Sequence, residues 1–88
     1  MYTVFRTNSF KKDIKKLKKR NKDIEKLIIV MHKLINGIKL EEKYKDHQLI
    51  GNYTGFRECH IEPDWLLIYR IDKKSIFFTR TGTHNDLF

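Results

Sequence analysis

The second half of the chain contains the residue types that move protons next to a phosphate group. Three of the four histidines lie there, at His47, His60 and His84, together with Asp64 and Arg80. An imidazole exchanges a proton near neutral pH, so it serves as acid or base. A guanidinium offsets the charge that builds on phosphoryl oxygens. These types fit transesterification of a phosphodiester by an activated ribose 2′-hydroxyl, which predicts RNA as the substrate because DNA lacks that hydroxyl.

Other chemistries lack their usual signatures in this sequence. There is no glycine-rich phosphate loop, no GxSxG motif and no HxH or HExxH spacing. Cys59 is the only cysteine, which excludes a disulfide framework and a cysteine-cluster zinc site. We expect Cys59 to be buried and inert. The sequence therefore predicts neither a metal site nor a cofactor.

Length and charge restrict the class of protein further. The 88 residues are enough for one domain, residues 1–88, and the net charge of +8 favours a polyanionic partner. The longest apolar run covers only residues 27–31, whereas a membrane span needs roughly 18 residues. With no secretory signal at the start, we expect a cytoplasmic protein without a membrane contact.

The first half of the sequence predicts a short strand and two helices. Residues 2–5 are aromatic and β-branched, which favours a strand. Apolar residues at helical spacing follow a cap at Asn8 or Ser9. A second helix begins at the cap Asn21 and ends at Gly37, since glycine takes a left-handed conformation at little cost. The short turn between the helices predicts an antiparallel helical hairpin.

The second half predicts three strands, over residues 53–61, 65–71 and 75–83. Their short connections favour an antiparallel meander. If the last strand runs through residue 83, Arg80 and His84 share one of its faces. Residues 38–50 are predicted to be a long connection. The predicted fold class is therefore α+β, a two-layer domain of order β-α-α-β-β-β in which the helical hairpin packs on an antiparallel sheet.

Four segments of this sequence together resemble the YafQ branch of the RelE/ParE superfamily. The segments are residues 44–47, 56–65, 80–84 and the terminal pair 87–88. The combination of HxxPDW, RxGxH and a terminal LF is specific, whereas each motif alone is weak. Members of this branch are ribosome-dependent messenger-RNA interferase toxins of bacterial type II toxin–antitoxin systems. The resemblance covers essentially the whole chain and implies a RelE-like fold.

The resemblance also implies partners. They are translated mRNA in the A site of the 70S ribosome, ribosomal RNA and a cognate antitoxin. Operator DNA is implied only as a ligand of the toxin–antitoxin complex, through which the pair represses its own operon.

Position by position, the resemblance implies an active site made of His47, His60, Asp64, Arg80 and His84. We assign His84 as general acid, Asp64 or His60 as general base, and Arg80 to the scissile phosphate. His47 then orients a neighbour or the phosphate.

Two aromatic residues, Trp65 and Phe88, are expected to stack on bases of the substrate. Each also has a structural alternative, because Trp65 begins an apolar strand and Phe88 is suited to anchoring the end of the chain.

Structural alternatives apply to the polar residues as well. His60 could be a strand histidine bonded to a backbone carbonyl, and Asp64 could accept hydrogen bonds within its turn. Arg80 could form a surface ion pair with Glu58 or Glu62, which would contribute little to stability.

A lysine-rich segment covers the first helix and the start of the second. Between residues 11 and 26 there are nine basic residues against three acidic ones. The polar face of an amphipathic helix accounts for part of this excess. We expect Lys12, Lys16 and Lys19 to contact ribosomal RNA; an acidic antitoxin segment is the alternative partner of that face.

Two other functions compete with the ribonuclease. The first is a ParE-like toxin that inhibits DNA gyrase on the same scaffold, which has no need for three histidines and Asp64 together. The second is a small basic RNA-binding module, which would intersperse aromatic residues among its lysines, whereas the lysine-rich helix has only Phe10, at a core position.

Overall fold

A mixed five-stranded sheet runs through the protein and two helices cover one of its faces. The computed structural model describes residues 1–88. The strands are β1 (Thr3–Arg6), β2 (His47–Gln48), β3 (Arg57–Glu62), β4 (Trp65–Asp72) and β5 (Ser75–Gly82). The helices are α1 (Asn8–Lys19), α2 (Ile24–Ile35) and the short α3 (His84–Leu87), with 3-10 turns at Glu42–Tyr44 and Gly51–Tyr53.

The strand order is β1-β5-β4-β3-β2. β1 is parallel to β5, and every other pair is antiparallel, so the sheet is mixed and not wholly antiparallel as expected. The predicted α+β class, with two helices and a three-stranded meander, is confirmed. Two elements were not predicted, since β2 lies within the expected long connection and α3 begins directly after β5. None of the helices is long and apolar enough to cross a membrane.

The starts of the helices differ by one or two residues from the sequence prediction. α1 is capped by Thr7, whose Oγ1 accepts a hydrogen bond from the Phe10 N–H at 3.0 Å. α2 is capped by Asp23, which accepts from the Glu25 N–H at 3.1 Å. The predicted cap, Asn21, instead takes a left-handed conformation in the turn between the helices. Thr7 was overlooked because three consecutive residues can serve as caps.

The main core fills the space between the helices and the sheet. It contains side chains from α1, α2 and the inward positions of the strands, among them Phe10, Leu27, Trp65 and Phe78. Cys59 also lies in this core with no exposed surface, as expected. Burial raises the pKa of its thiol, which keeps the thiol protonated and inert.

The other side of the sheet, which we call the open face, lacks a helical layer. Only a small cluster covers it, in which Leu87 of α3 packs against Leu66 and Ile68 of β4. Because side chains alternate along a strand, residues paired with Leu66 and Ile68 also point to this face. The polar residues predicted to do chemistry lie here.

Asp13 of α1 closes the edge of the sheet where β1 ends. β1 pairs with β5 only as far as Phe78. Beyond that point the Thr81 N–H donates to Asp13 Oδ2 at 3.0 Å. The Arg80 guanidinium donates to the same carboxylate from Nε at 2.7 Å and from Nη2 at 3.1 Å. One nearly buried carboxylate therefore accepts a hydrogen bond from the edge of β5 and also holds the Arg80 guanidinium in place.

Replacing Asp13 by Asn should lower the free energy of unfolding by about 2 kcal/mol, because it weakens hydrogen bonds to a charged group and to a backbone N–H. The measurement is urea unfolding followed by circular dichroism. Glu42→Gln, which alters an exposed carboxylate without a partner, serves as control and should change stability by less than about 0.5 kcal/mol. Equal stability of the two variants would contradict the role given to Asp13.

Candidate active site

The register of the sheet places four side chains in one row across the open face. His47 lies opposite Glu58, Glu58 opposite Ile68, and Ile68 opposite Arg80. Neighbouring strands are about 4.8 Å apart, so Arg80 begins roughly 10 Å from Glu58. Two of the predicted site residues, from opposite ends of the second half of the sequence, thus belong to one row.

The adjacent row brings in His60, which lies opposite Leu66. Leu66 in turn lies opposite Gly82, the last residue of β5. A Cβ at Gly82 would lie 2.9 Å from Oδ2 of Asp86, so only glycine allows α3 to pack this closely. His84 begins α3 and is not a strand residue, which corrects the expectation that it continues the face of the last strand.

The three predicted histidines lie next to one another. The ring centroids of His47 and His60 are 6.4 Å apart, and those of His60 and His84 are 6.2 Å apart. The three residues come from β2, β3 and α3. The His60 ring therefore has the other two imidazoles as neighbours on the open face.

Asp64 holds His84 by two hydrogen bonds. Its Oδ1 accepts from the His84 backbone N–H at 3.0 Å and pairs with Nδ1 of the ring at 2.7 Å. The backbone hydrogen bond, followed by the one from the ring, holds the pKa of Asp64 below its usual value. An ionised carboxylate only accepts, so Nδ1 carries a hydrogen and Nε2 of His84 is the atom left for a ligand.

His47 and His60 are oriented in the same way, by carbonyl groups. Nδ1 of His47 lies 2.6 Å from the Lys45 carbonyl oxygen, and Nδ1 of His60 lies 3.2 Å from that of Pro63. A carbonyl oxygen cannot donate, so each Nδ1 carries the hydrogen and each Nε2 is available for proton exchange. The carbonyl contact expected for His60 as a structural alternative is present, and it leaves Nε2 free.

Glu58 lies between these two Nε2 atoms. Its Oε1 is 3.6 Å from Nε2 of His47 and 3.7 Å from Nε2 of His60, and its side chain is only 8% exposed. Both distances are longer than a hydrogen bond. The arrangement is a nearly buried negative charge that faces two proton-accepting atoms.

Asp46 anchors the segment that leads into β2. Its Oδ1 accepts a hydrogen bond from the Tyr69 hydroxyl at 2.6 Å and lies 3.3 Å from Nε of Arg57. Burial, and next the contact with Asp46, raises the pKa of Tyr69, so the hydroxyl remains a donor. This anchor holds the neighbouring His47 at the edge of the cluster.

Arg80 is held by Asp13 and not by the carboxylates considered from the sequence. Glu62 instead binds Lys22 at 3.0 Å and Lys26 at 2.9 Å, and Glu58 faces the imidazoles. The hydrogen bonds that Arg80 donates to Asp13 raise the pKa of Arg80, so its charge persists at every relevant pH. Nη1 has no protein partner and remains available for a phosphate oxygen.

A cavity of about 440 Å³ opens beside His60. Lys26 and Ile29 of α2 line one wall, and residues 43–45 line another. Three lysines line the cavity, but Lys26 is paired with Glu62, which lines it as well. No cluster of three or more His, Cys, Asp or Glu side chains has the arrangement that a metal ion requires.

Proteins similar to this chain in sequence and in fold are known. Residues 2–88 match the family model described as a bacterial toxin of type II toxin-antitoxin systems, YafQ. The chain belongs to the YafQ toxin family. It is 47% identical over 83 residues to the mRNA interferase toxin YafQ of Escherichia coli K12, an alignment that covers 93% of this chain and 90% of that protein.

Solved structures of similar proteins agree with this assignment. The toxin in an E. coli DinJ–YafQ complex superposes with a TM-score of 0.94 and 44% identity, over 100% of this chain and 99% of that one. A metal-bound toxin from Helicobacter pylori superposes with a TM-score of 0.94 and 42% identity, over 100% of both chains.

One predicted substrate contact of this YafQ-family chain is wrong. Trp65 has no exposed surface, and its Nε1 donates to Thr81 Oγ1 at 2.9 Å within the main core. Alternation along β4 points Trp65 towards the helices, so it cannot stack on a base. Phe88 is 61% exposed, and its ring centroid is 6.4 Å from that of His84 and 5.4 Å from that of Tyr53. Of the two predicted aromatic contacts, only Phe88 lies at the site.

The three lysines predicted to bind RNA do not share one environment. Lys12 and Lys19 are exposed and have no carboxylate partner. Lys16 lies 3.3 Å from Asp86 of α3, which Arg20 also binds, at 2.8 and 3.1 Å. Part of the basic surface of α1 therefore has a structural role, because it attaches α3 to the rest of the domain.

Sequence reasoning missed several residues that shape the site. Glu58 was considered only as a partner of Arg80, although it lies two residues before His60 on a strand and so shares its face. That spacing could have revealed it. No spacing pattern could have revealed Asp13 or Tyr53, because each reaches the site from an element that is distant in sequence from the other site residues.

Asp86 should make the stability of this domain depend on pH. The Arg20 hydrogen bond is the main cause that lowers the pKa of Asp86 well below that of the unfolded chain, about 3.9. The stabilisation is therefore present in full above about pH 5 and is lost as the pH falls below about 4. Asp86→Asn should lower the unfolding free energy by about 1–2 kcal/mol at pH 7, since it removes the charge of partly exposed ion pairs and replaces one of the two acceptor oxygens by an amide nitrogen.

Thermal unfolding at pH 7 and at pH 3 measures this difference. The difference in Tm between Asp86→Asn and the parent protein should be smaller at pH 3 than at pH 7. Asn85→Ala, at an exposed position of the same helix, should show no such narrowing. A difference in Tm that stays the same at both pH values would refute the stabilising role of ionised Asp86.

Proposed function

We propose that this chain is an endoribonuclease toxin that cleaves translated mRNA in the A site of the 70S ribosome. It needs no metal ion, acts in the bacterial cytoplasm and is neutralised by a cognate antitoxin. The activity named for the E. coli relative supports the reaction class. The observation that carries the proposal is the set of three adjacent imidazoles, beside Arg80 on the same face and each with Nε2 free.

His60 acts as the general base. Its Nε2 takes the proton of the ribose 2′-hydroxyl, and the oxygen then attacks the adjacent phosphorus. The ring gains a positive charge in this step, and Glu58 stabilises that charge from 3.7 Å. His47, on the other side of Glu58, helps to orient the phosphate.

His84 acts as the general acid. Its Nε2–H protonates the departing 5′ oxygen as the bond to phosphorus breaks, which leaves a cyclic 2′,3′-phosphate and a 5′-hydroxyl. Asp64 was the other candidate for the base. We assign it to orienting His84 and stabilising the protonated ring, because its Oδ1 already accepts two hydrogen bonds from that residue.

Arg80 and Phe88 hold the substrate. Nη1 of Arg80 offsets the charge that develops on the phosphoryl oxygens, and Asp13 fixes the direction of the guanidinium. Phe88 is exposed next to His84, where its ring can stack on a base beside the scissile linkage. Exposed lysines of α1, Lys12 and Lys19 among them, contact ribosomal RNA.

The DinJ–YafQ complex supports the antitoxin as a partner. A gyrase inhibitor of the ParE type would make no use of three oriented imidazoles, which is why we prefer the ribonuclease. An RNA-binding module without catalysis would likewise leave the contact between Asp64 and His84 without a purpose.

Programmed ribosomes test the proposal directly. The purified toxin is added to ribosomes that hold a defined message, and the ends of the RNA are mapped and analysed for a cyclic phosphate. In one arm the toxin is treated with EDTA and desalted before it is added, because the ribosome itself requires Mg²⁺, and ribosome-free RNA is a separate arm. Cleavage within the A-site codon by the EDTA-treated toxin is expected. An intact message, together with inhibited supercoiling by gyrase, would support the ParE-like alternative.

His84→Gln should reduce kcat at least about 100-fold, because general acid catalysis contributes about 10²–10⁴ in rate. KM should change little. His32→Gln, an exposed histidine on α2, is the matched control and should retain the parent rate. A folded His84→Gln protein that cleaves at the parent rate would rule out the acid role.

Glu58→Gln should lower kcat about tenfold or more, because the charge that stabilises the protonated His60 is lost while the volume is kept. Glu58→Asp retains the charge and should recover part of the loss. Thermal unfolding checks that both variants are folded. Equal kcat for Glu58→Gln and the parent would show that this carboxylate plays no part in proton transfer.

A further inference from the structure

A second group of side chains on the open face has no place in the mechanism above. Phe5 of β1 lies opposite Phe77 of β5, and Phe77 lies opposite Arg70 of β4. The two phenylalanine rings are stacked, with centroids 4.9 Å apart and planes 13° apart. The guanidinium carbon of Arg70 lies 3.9 Å from the centroid of Phe77. We call Phe5, Phe77 and Arg70 the Phe5 stack.

The Phe5 stack is accessible to solvent, and the Arg70 guanidinium in it lacks a hydrogen-bonding partner in the protein. Phe5 is 47% exposed although it is a large apolar residue on a sheet edge. Arg70 forms no hydrogen bond or ion pair with the protein, whereas Arg20, Arg57 and Arg80 each bind a carboxylate. An exposed ring beside a guanidinium with free donors offers stacking and charge to a ligand.

We propose that the Phe5 stack binds an unpaired nucleobase of the RNA, outside the scissile linkage, and that Arg70 contacts a phosphate next to that base. The base stacks on the outer side of Phe5 and extends the stack by one layer. This inference rests on the proposed ribonuclease function, because the bound base belongs to the same RNA strand as the cleaved linkage.

The position of the stack favours RNA over a protein partner. Arg70 is two residues from Ile68 on β4, so the stack lies about 7 Å from the row that contains Arg80. Both rows are on the open face. A strand held at Arg80 would therefore pass the stack within the length of a few nucleotides. Planar stacking beside a free cation is the chemistry that binds bases of any sequence in single strands.

Binding of a short single-stranded RNA tests the inference. The experiment uses full-length protein with His84→Gln, which prevents cleavage, and measures fluorescence anisotropy. In this background, Phe5→Leu keeps apolar volume but removes the ring and should weaken binding about five- to 100-fold. Phe5→Tyr keeps the ring and should bind as the parent does. Arg70→Gln should reduce the salt dependence by about one phosphate contact.

Two controls locate the effect. Ile38→Ala alters a similarly exposed apolar residue away from the open face and should leave affinity unchanged. The second control is a series of RNAs in which one base is removed at a different position in each. With Phe5 present, removal of the base that stacks on Phe5, outside the scissile linkage, should weaken binding. With Phe5→Leu, removal of that base should have no effect.

Unchanged RNA affinity in Phe5→Leu would overturn the inference. The inference would also be overturned if the Phe5→Leu protein bound RNA normally but lost its complex with the cognate antitoxin, or its self-association, in size-exclusion chromatography. The Phe5 stack would then be a protein interface. Failure of the proposed function is distinct from both outcomes. It would appear as RNA that binds the parent protein but is never cut, with or without ribosomes.

Discussion

The register of strands β2 to β5 is the constraint on which the candidate site depends. A slip of one residue in any pair would turn the affected side chains towards the helices. The most informative point is a bulge, where Ile68 pairs with Arg80 but the next residue, Tyr69, pairs with Phe78. The extra residue, Thr79, reverses the alternation, so Phe78 enters the core while Arg80 reaches the open face.

Helix α1 contributes more than a basic surface. Asp13 ties it to the open edge of β5, and Lys16 and Arg20 tie it to Asp86 of α3. These contacts position Arg80 and the helix that begins with His84. The lysine-rich segment therefore stabilises the site through Lys16 and Arg20, whereas Lys12 and Lys19 are exposed and have no carboxylate partner.

The two faces of the sheet have different roles. The face beneath α1 and α2 buries the large apolar side chains, including Trp65, and gives the domain its stability. The open face needs little apolar cover and can therefore present oriented polar groups. On that face Arg80 lies between the histidine cluster and the Phe5 stack, an arrangement that suits an extended ligand better than a compact one.

The sequence by itself determined the α+β class, the two helices, the meander and the identity of the residues that could move protons, because periodicity and residue chemistry are local properties. It also indicated which family the chain resembles. It did not determine β2, α3, the partner of Arg80 or the burial of Trp65. Those features depend on a bulge, an edge contact from α1 and the direction of β4 side chains. They follow from contacts between residues distant in sequence, which no local pattern records and which only the folded chain brings together.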